Sequence, residues 1–321
     1  MRNKIMYRIK YLMLSLLLAV VVAGCSSVAP DAKQAVLTPA VPDAGQAVFN
    51  SGDEACKALI EAIKKNDTKR MMEIFGPHGK DIVLSGDENL DADSRAYFSK
   101  IAAEKAVVTG INDNLYIIEL GNQAFPFAIP LSTSNGKWFF NTREGIEELI
   151  NRRIGRNEIF TINVCEAVAK TELAHARKRM TANGVSEYAM QSMCETAKVN
   201  NIYWNPESGK KEDLICADLA LATLEPGNPK RKPYYGYYYK VLKAQGPDAP
   251  GGKKSYLVDG KLKHGFAVLA YPAKYDNLGI KSFMVSKCGV IFEKDLGANT
   301  DKIAAEMTEF NPDDTWDPVK N

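Results

Sequence analysis

The chain predicts an α+β protein built as two modules, each with helices ahead of a small antiparallel sheet. Three observations carry that reading. Apolar residues recur at helical spacing over residues 51–106 and again over 142–182. Each of these stretches leads to segments whose apolar residues alternate. The alternating segments contain Asn135-Gly136 and Asp259-Gly260, the dipeptides of tight hairpins.

The elements follow in order. Residues 1–24 read as an export signal. Arg2, Lys4, Arg8 and Lys10 precede an apolar run from Tyr11, and small residues lead to Cys25. The run is about 14 residues, shorter than the ~20 a membrane-spanning helix needs. Residues 25–50 are rich in Ala, Pro, Val and Gln without a sustained period, and read as a tether. The first module, residues 51–150, opens with a capping sequence at Ser51 and a helix carrying Ala55, Leu59, Ile60 and Ile63. A short helix with Met71, Met72, Ile74 and Phe75 stops at Gly76-Pro77, and a third helix is expected over Ser94–Ala106. Strands are expected over Leu115–Leu120 and Phe125–Leu131, then Lys137–Phe140 after the Asn135-Gly136 turn.

The second module, residues 151–321, is led by a long helix over about residues 142–182 with a break expected near Gly155. Ile159, Ile162, Cys165, Ala169, Leu173, Ala176 and Met180 form its apolar stripe. Tyr234–Lys243 is expected as a strand. Further strands over Gly265–Tyr271, Ile280–Ser286 and Val290–Glu293 precede a last helix near Thr300–Thr308. The first module's layout is similar to nuclear-transport-factor-2-like and cystatin-like domains, and the second's to the soluble part of pilins.

Composition narrows the function classes. The formal charge of +2 includes the signal's four basic residues; without them 37 basic side chains face 39 acidic ones, a net of −2. That balance gives no electrostatic case for a nucleic-acid partner. Five cysteines remain beyond Cys25, with no Cys-x-x-Cys among them. In an exported chain Cys194 and Cys216, flanking one loop-like stretch, are the expected disulfide. Cys56 and Cys165 fall on helical stretches and read as buried small residues.

The Val22-Ala-Gly-Cys25 box resembles a bacterial lipoprotein signal. The resemblance implies a diacylglycerol on the Cys25 sulfur and a third acyl chain on its freed amine. By the same resemblance, to enterobacterial lipoproteins, Ser26 and Ser27 after the cysteine imply the outer membrane, with the folded part facing the periplasm. Longer runs resemble a second family. They are Phe125-Pro-Phe-Ala-Ile-Pro-Leu131, Arg152-Arg-Ile-Gly-Arg-Asn-Glu158, Tyr234-Tyr-Gly-Tyr-Tyr238, Ala244-Gln-Gly-Pro247, Gly265-Phe-Ala-Val268, Tyr271-Pro-Ala273 and Lys294-Asp-Leu-Gly297. Together they are similar to the bacterial domain of unknown function 2950 family over roughly residues 50–321. That resemblance implies no activity, cofactor or catalytic residue.

The common catalytic motifs are missing: no Gly-x-Ser-x-Gly, no His-Glu-x-x-His and no phosphate-binding glycine loop. The three histidines, His78, His175 and His264, are far apart in sequence. The acidic run Asp87–Asp93 reads as a solvated loop that caps the next helix rather than a calcium loop. Two groups remain as candidate contact surfaces. The tyrosines Tyr234, Tyr235, Tyr237, Tyr238 and Tyr239 would alternate between core and solvent on a strand. Arg152, Arg153 and Arg156 would either clamp a carboxylate or phosphate, or pair with acids and fix the junction between modules. The expectation is a non-enzymatic envelope lipoprotein without a cofactor, held to the membrane by its lipid and binding an envelope protein or wall polymer. The alternative is a ligand-binding or hydrolytic pocket in the first module, lined by Phe125, Phe127, Trp138 and Phe139.

Overall fold

Capping side chains decide where the first helices begin. The computed structural model describes residues 40–178, 188, 219 and 222–320. Helix α1 (Gly52–Lys64) opens on Ser51, whose hydroxyl accepts the Glu54 N–H. Helix α2 (Thr68–Phe75) opens on Asp67, whose carboxylate accepts the Arg70 N–H, and stops at Gly76. A 3₁₀ turn (Pro77–Gly79) and the short α3 (Lys80–Val83) lead to α4 (Glu88–Glu104). Helix α4 starts earlier than Ser94 because Asp87 is its cap, so the acidic run forms its first turns and is no loop. Asp87 and Asp91 are buried there, which corrects the expectation of a solvated segment.

Five strands complete the first half: β1 (Ala106–Asn112), β2 (Leu115–Leu120), β3 (Phe125–Pro126), β4 (Leu131–Ser134) and β5 (Lys137–Phe140). They form an antiparallel sheet in the order β1-β2-β4-β5, with β3 also on β2. The single strand expected over Phe125–Leu131 is broken in two. Pro126 and Pro130 bring no N–H to a ladder. The β4–β5 hairpin turns on Asn135 and Gly136, both at positive φ, as a two-residue connection requires. Leu59, Ile74, Ile118, Leu120, Ile129 and Phe140 form the centre of this half's core. The Phe98, Phe127, Phe140 and Phe75 rings pack beside them, with centroids 5.4 to 6.4 Å apart.

Helix α5 (Thr142–Lys178) then runs for 37 residues, about 55 Å at 1.5 Å per residue. The Thr142 hydroxyl donates to the Phe75 carbonyl at 2.8 Å and ties its start to α2. The expected break at Gly155 does not occur. The helix is continuous there and the space beside the glycine is open. A helical glycine costs only about 1 kcal/mol against alanine, which packing on both sides of it outweighs.

The second half is a sheet with a helix on each face. Its strands are β6 (Tyr237–Leu242), β11 (Ala267–Pro272), β12 (Lys281–Ser286), β13 (Ile291–Asp295) and β15 (Asp317–Pro318). They are antiparallel in the order β15-β13-β12-β11-β6. Short strands flank it: β7 (Ala244–Gln245), β8 (Lys254–Ser255) and β14 (Glu309–Phe310) form one ribbon, and β9 (Leu257–Val258) with β10 (Lys261–Leu262) another. Helix α5 packs on β11, β12 and β13. On β6, Lys240 alternates with Tyr239, and its ammonium donates to the Ala304 and Ala305 carbonyls of helix α6 (Thr300–Glu306) on the other face. Strands β11 and β12 are buried almost throughout as a result.

The strand expected from Tyr234 begins only at Tyr237. Tyr234 and Tyr237 exchange both backbone hydrogen bonds, 2.9 and 3.2 Å, around a two-residue turn of Tyr235 and Gly236. Both turn residues lie at positive φ, 49° and 80°. A side chain at 236 would also bring its Cβ within 2.7 Å of Asn157 Nδ2, so glycine is required twice over. Ala40–Asn321 form one compact unit with two apolar clusters, one drawn from residues 49–140 and one from 164–316. No helix among the described residues is long and apolar enough to cross a membrane.

Candidate functional site

The middle of α5, Arg152–Glu158, carries two rows of side chains with opposite fates. The inner row is used up inside the protein. Arg153, buried, donates to the Asp81 carbonyl at 2.9 Å, to Asn277 Oδ1 at 3.1 Å and to the Ile82 carbonyl at 3.2 Å. Burial pulls its guanidinium below the ordinary value, and Asp91 opposes that shift. Asn157 Nδ2 donates to the Leu278 carbonyl at 2.9 Å. Glu158 Oε1 accepts the Ile280 and Lys281 N–H groups at 3.0 and 2.9 Å. These bonds hold α3 and the β11–β12 connection against one helix.

Asp87 extends the same lock. Its two oxygens accept the Leu90 N–H at 3.0 Å and the Gly236 N–H at 2.8 Å, so one carboxylate caps α4 and clamps the Tyr235–Gly236 turn. Burial pushes its pKa up, against the pull of those N–H groups. Asp91 likewise accepts the Ser85 N–H at 3.0 Å. Of the acids in this run, Asp87 and Asp91 are therefore committed to backbone donors, Glu88 pairs with Lys232 and Asp93 accepts from Tyr235. Among the described residues no cluster of three or more His, Cys, Asp or Glu side chains is placed to hold a metal ion. Along the helix, Asn157 Oδ1 is buried without a hydrogen-bond partner, and the buried Thr161 hydroxyl faces the buried Tyr239 hydroxyl.

The outer row is Arg152, Arg156 and Ile159, spaced as one helical face. Arg152 pairs with Glu148 at 2.9 Å, donates to the Pro126 carbonyl at 2.7 Å and lies 5.0 Å from the Phe125 ring centroid. Arg156 donates to Ser94 Oγ at 3.2 Å and forms no ion pair among the described residues. Asp93 and Tyr97 stand near it on α4. The Tyr235 hydroxyl donates to Asp93 Oδ2 at 3.1 Å, and its ring stacks on Phe160 at 3.7 Å. Burial, with Asp93 beside it, pushes the Tyr235 phenol up to about 12, so it stays a donor. The apolar side chains around this row are unusually open: Tyr97 is 59% exposed, Phe125 46% and Ile159 64%.

The tyrosine run does not present the open strand that alternation suggested. Tyr234, Tyr237 and Tyr239 are buried. The Tyr237 hydroxyl donates to the Lys281 carbonyl at 2.9 Å and fills the space beside Gly279, where any Cβ would collide with it. Tyr238 lies 3.6 Å beneath the Arg231 guanidinium, which also donates to the Tyr271 hydroxyl. Only Tyr235 and Tyr238 reach the surface, on different elements of it. The four rings proposed to line a pocket also separate. Phe127 and Phe139 are buried, Trp138 packs on Tyr116 at 4.2 Å, and Phe125 is outside under Arg152. Cys56 and Cys165 are buried free thiols, pushed by burial to about 11 and about 12, and Cys288 is an exposed one. Cys25, Cys194 and Cys216 lie outside the described residues.

Sequence reasoning missed Asp87 and Asn157. Asp87 had a readable signal, an N-cap residue before an amphipathic stretch. Asn157 had none, because its partner is Leu278 across the fold.

A family model described as "Protein of unknown function (DUF2950)" matches residues 46–319. The chain belongs to the DUF2950 family. The match takes in both apolar clusters and both rows of α5, so in this DUF2950 chain the candidate surface is part of the family domain. No curated protein and no solved structure matches the chain.

Proposed function

We propose that this DUF2950 protein is a non-catalytic component of the bacterial cell envelope. It is tethered by lipid on Cys25 at the outer membrane, faces the periplasm, and binds another envelope component. The observation that carries this reading is the outer row of α5. Open apolar side chains of Tyr97, Phe125 and Ile159 surround Arg152 and Arg156, and Arg156 has no acid paired to it among the described residues. Aromatic and arginine side chains together are the usual anchors of protein contacts. The inner row supports the same reading, because Arg153, Asn157 Nδ2 and Glu158 bond the backbone of α3 and of the β11–β12 connection and brace the surface.

A photo-crosslinking amino acid at Tyr97 or Ile159, in cells, should trap one discrete partner. The same residue at Val290, exposed on the second sheet's β12–β13 turn, should not. Equal crosslinking at all three positions, or none, would count against the surface. The anchor has its own test: incorporation of a clickable fatty acid should vanish in Cys25→Ser.

A further inference from the structure

Strand β1 ends the first sheet with no strand beside its outer edge among the described residues. At the opposite edge β5 is covered, since Phe49 and Trp138 exchange backbone hydrogen bonds of 2.8 and 2.9 Å. Strand β1 pairs only with β2 among the described residues. Such an edge offers a row of free N–H and C=O groups to any strand of suitable shape. Proteins commonly guard it with lysine or proline, and Ala106–Asn112 contains neither and no other charge. A bulge between Gly110 and Asn112 is the one irregularity. Val107, 40% exposed, stands on the face turned away from Val108, which packs towards α1 and Trp138.

The charges sit just outside the strand. Lys105 precedes it and Asp113 follows it, both exposed and neither in an ion pair among the described residues. We propose that β1 pairs antiparallel with β1 of a second copy about a two-fold axis near Thr109, joining two five-stranded sheets into one. Antiparallel pairing brings Lys105 of each copy to the β1–β2 turn that carries Asp113 of the other, beyond the bulge. Parallel pairing would set like against like. The strand's own ends thus supply the complement, which an unrelated strand has no reason to carry, and a two-fold contact closes without further growth. This edge is separate from the outer row of α5 and does not depend on it.

The test is the association constant of the full chain in density-matched detergent, by analytical ultracentrifugation. Wild type should show a reversible dimer. Lys105→Glu turns both end pairs repulsive and should weaken it about tenfold, given the few-fold worth of each exposed pair. The swap Lys105→Glu with Asp113→Lys should restore it, and Arg156→Ala should leave it unchanged. In the oxidising compartment Thr109→Cys should give a disulfide-linked dimer of this chain beyond any wild-type background. A monomer at every concentration, a dimer indifferent to Lys105→Glu, or a Thr109→Cys adduct with a different protein would each overturn the proposal.

Discussion

Two rows of one helical turn differ in what the fold places against them. Arg153 and Arg156 are three residues apart on α5, and both are arginines in the same family-like run. Arg153 is buried and spends its donors on two carbonyls and an amide oxygen. Arg156 has one bond, to a serine hydroxyl, and open apolar neighbours. Residue type is equal, so the difference comes from what the fold places opposite each. The inner row meets main-chain groups that would otherwise be left unbonded in the interior. The outer row meets side chains near the surface, Glu148 and Phe125 for Arg152 and Ser94 for Arg156. Burial lowers the pKa of the Arg156 guanidinium as well.

The comparison can be broken at several points. The largest effect is expected for Arg153→Met, which strands two carbonyls and Asn277 and should cost about 3 kcal/mol in a denaturant unfolding series. Thr161→Val keeps the shape but removes the hydroxyl that faces the buried Tyr239 hydroxyl. It should lower stability by about 1 kcal/mol by leaving Tyr239 alone, and a gain instead would mean the two hydroxyls are not bonded to each other. Arg156→Ala and Ile159→Ser should shift stability by no more than about 0.5 kcal/mol, while abolishing the crosslink from Tyr97. An equal loss of stability in the two rows would erase the distinction drawn between them.

Asp87 sharpens the inner row through pH. Its folded carboxyl titrates above its ordinary value of 3.8 because it is buried. Its contribution is therefore fully present below that ordinary value and is lost as pH rises through the raised one. The advantage of wild type over Asp87→Asn should be greatest in acid and shrink towards neutrality, as read from unfolding midpoints across the acid range. The smallest effect concerns thiols. Peptide mapping after brief alkylation of native protein should show Cys288 modified, with Cys56 and Cys165 reacting only after unfolding.

Local pattern made much of this fold legible. Helix α1 was readable from Ser51 and its apolar spacing, the β4–β5 hairpin from Asn135-Gly136, and α5 from its stripe of small and aliphatic residues. What was hidden depended on distant partners. The acids after Ser85 looked solvated because nothing near them in sequence requires burial, yet Asp87 is clamped to Gly236, 149 residues away. The tyrosine run looked like a strand from Tyr234 because tyrosine favours strands. The glycine at 236 marks the turn, and its close approach to Asn157 fixes it there. The arginines carried no sign of which would be inner and which outer. That assignment follows from where α3 and the Asn277–Lys281 segment cross the helix.

Helix α5 belongs to both apolar clusters' surroundings: its start is tied to α2 and its later turns lie on the second sheet. A single rod shared in this way makes the two halves thermodynamic hostages of each other. If the first half melts, the helix loses its seat at Thr142 and frays towards the strands that shelter Cys165. If the sheet opens, the unravelling runs the other way. Unfolding should then be one cooperative event, with a denaturant slope set by the whole of residues 40–321 and not by either half. A chain cut within the helix would leave each fragment without the beam it needs, so neither is expected to hold its shape alone.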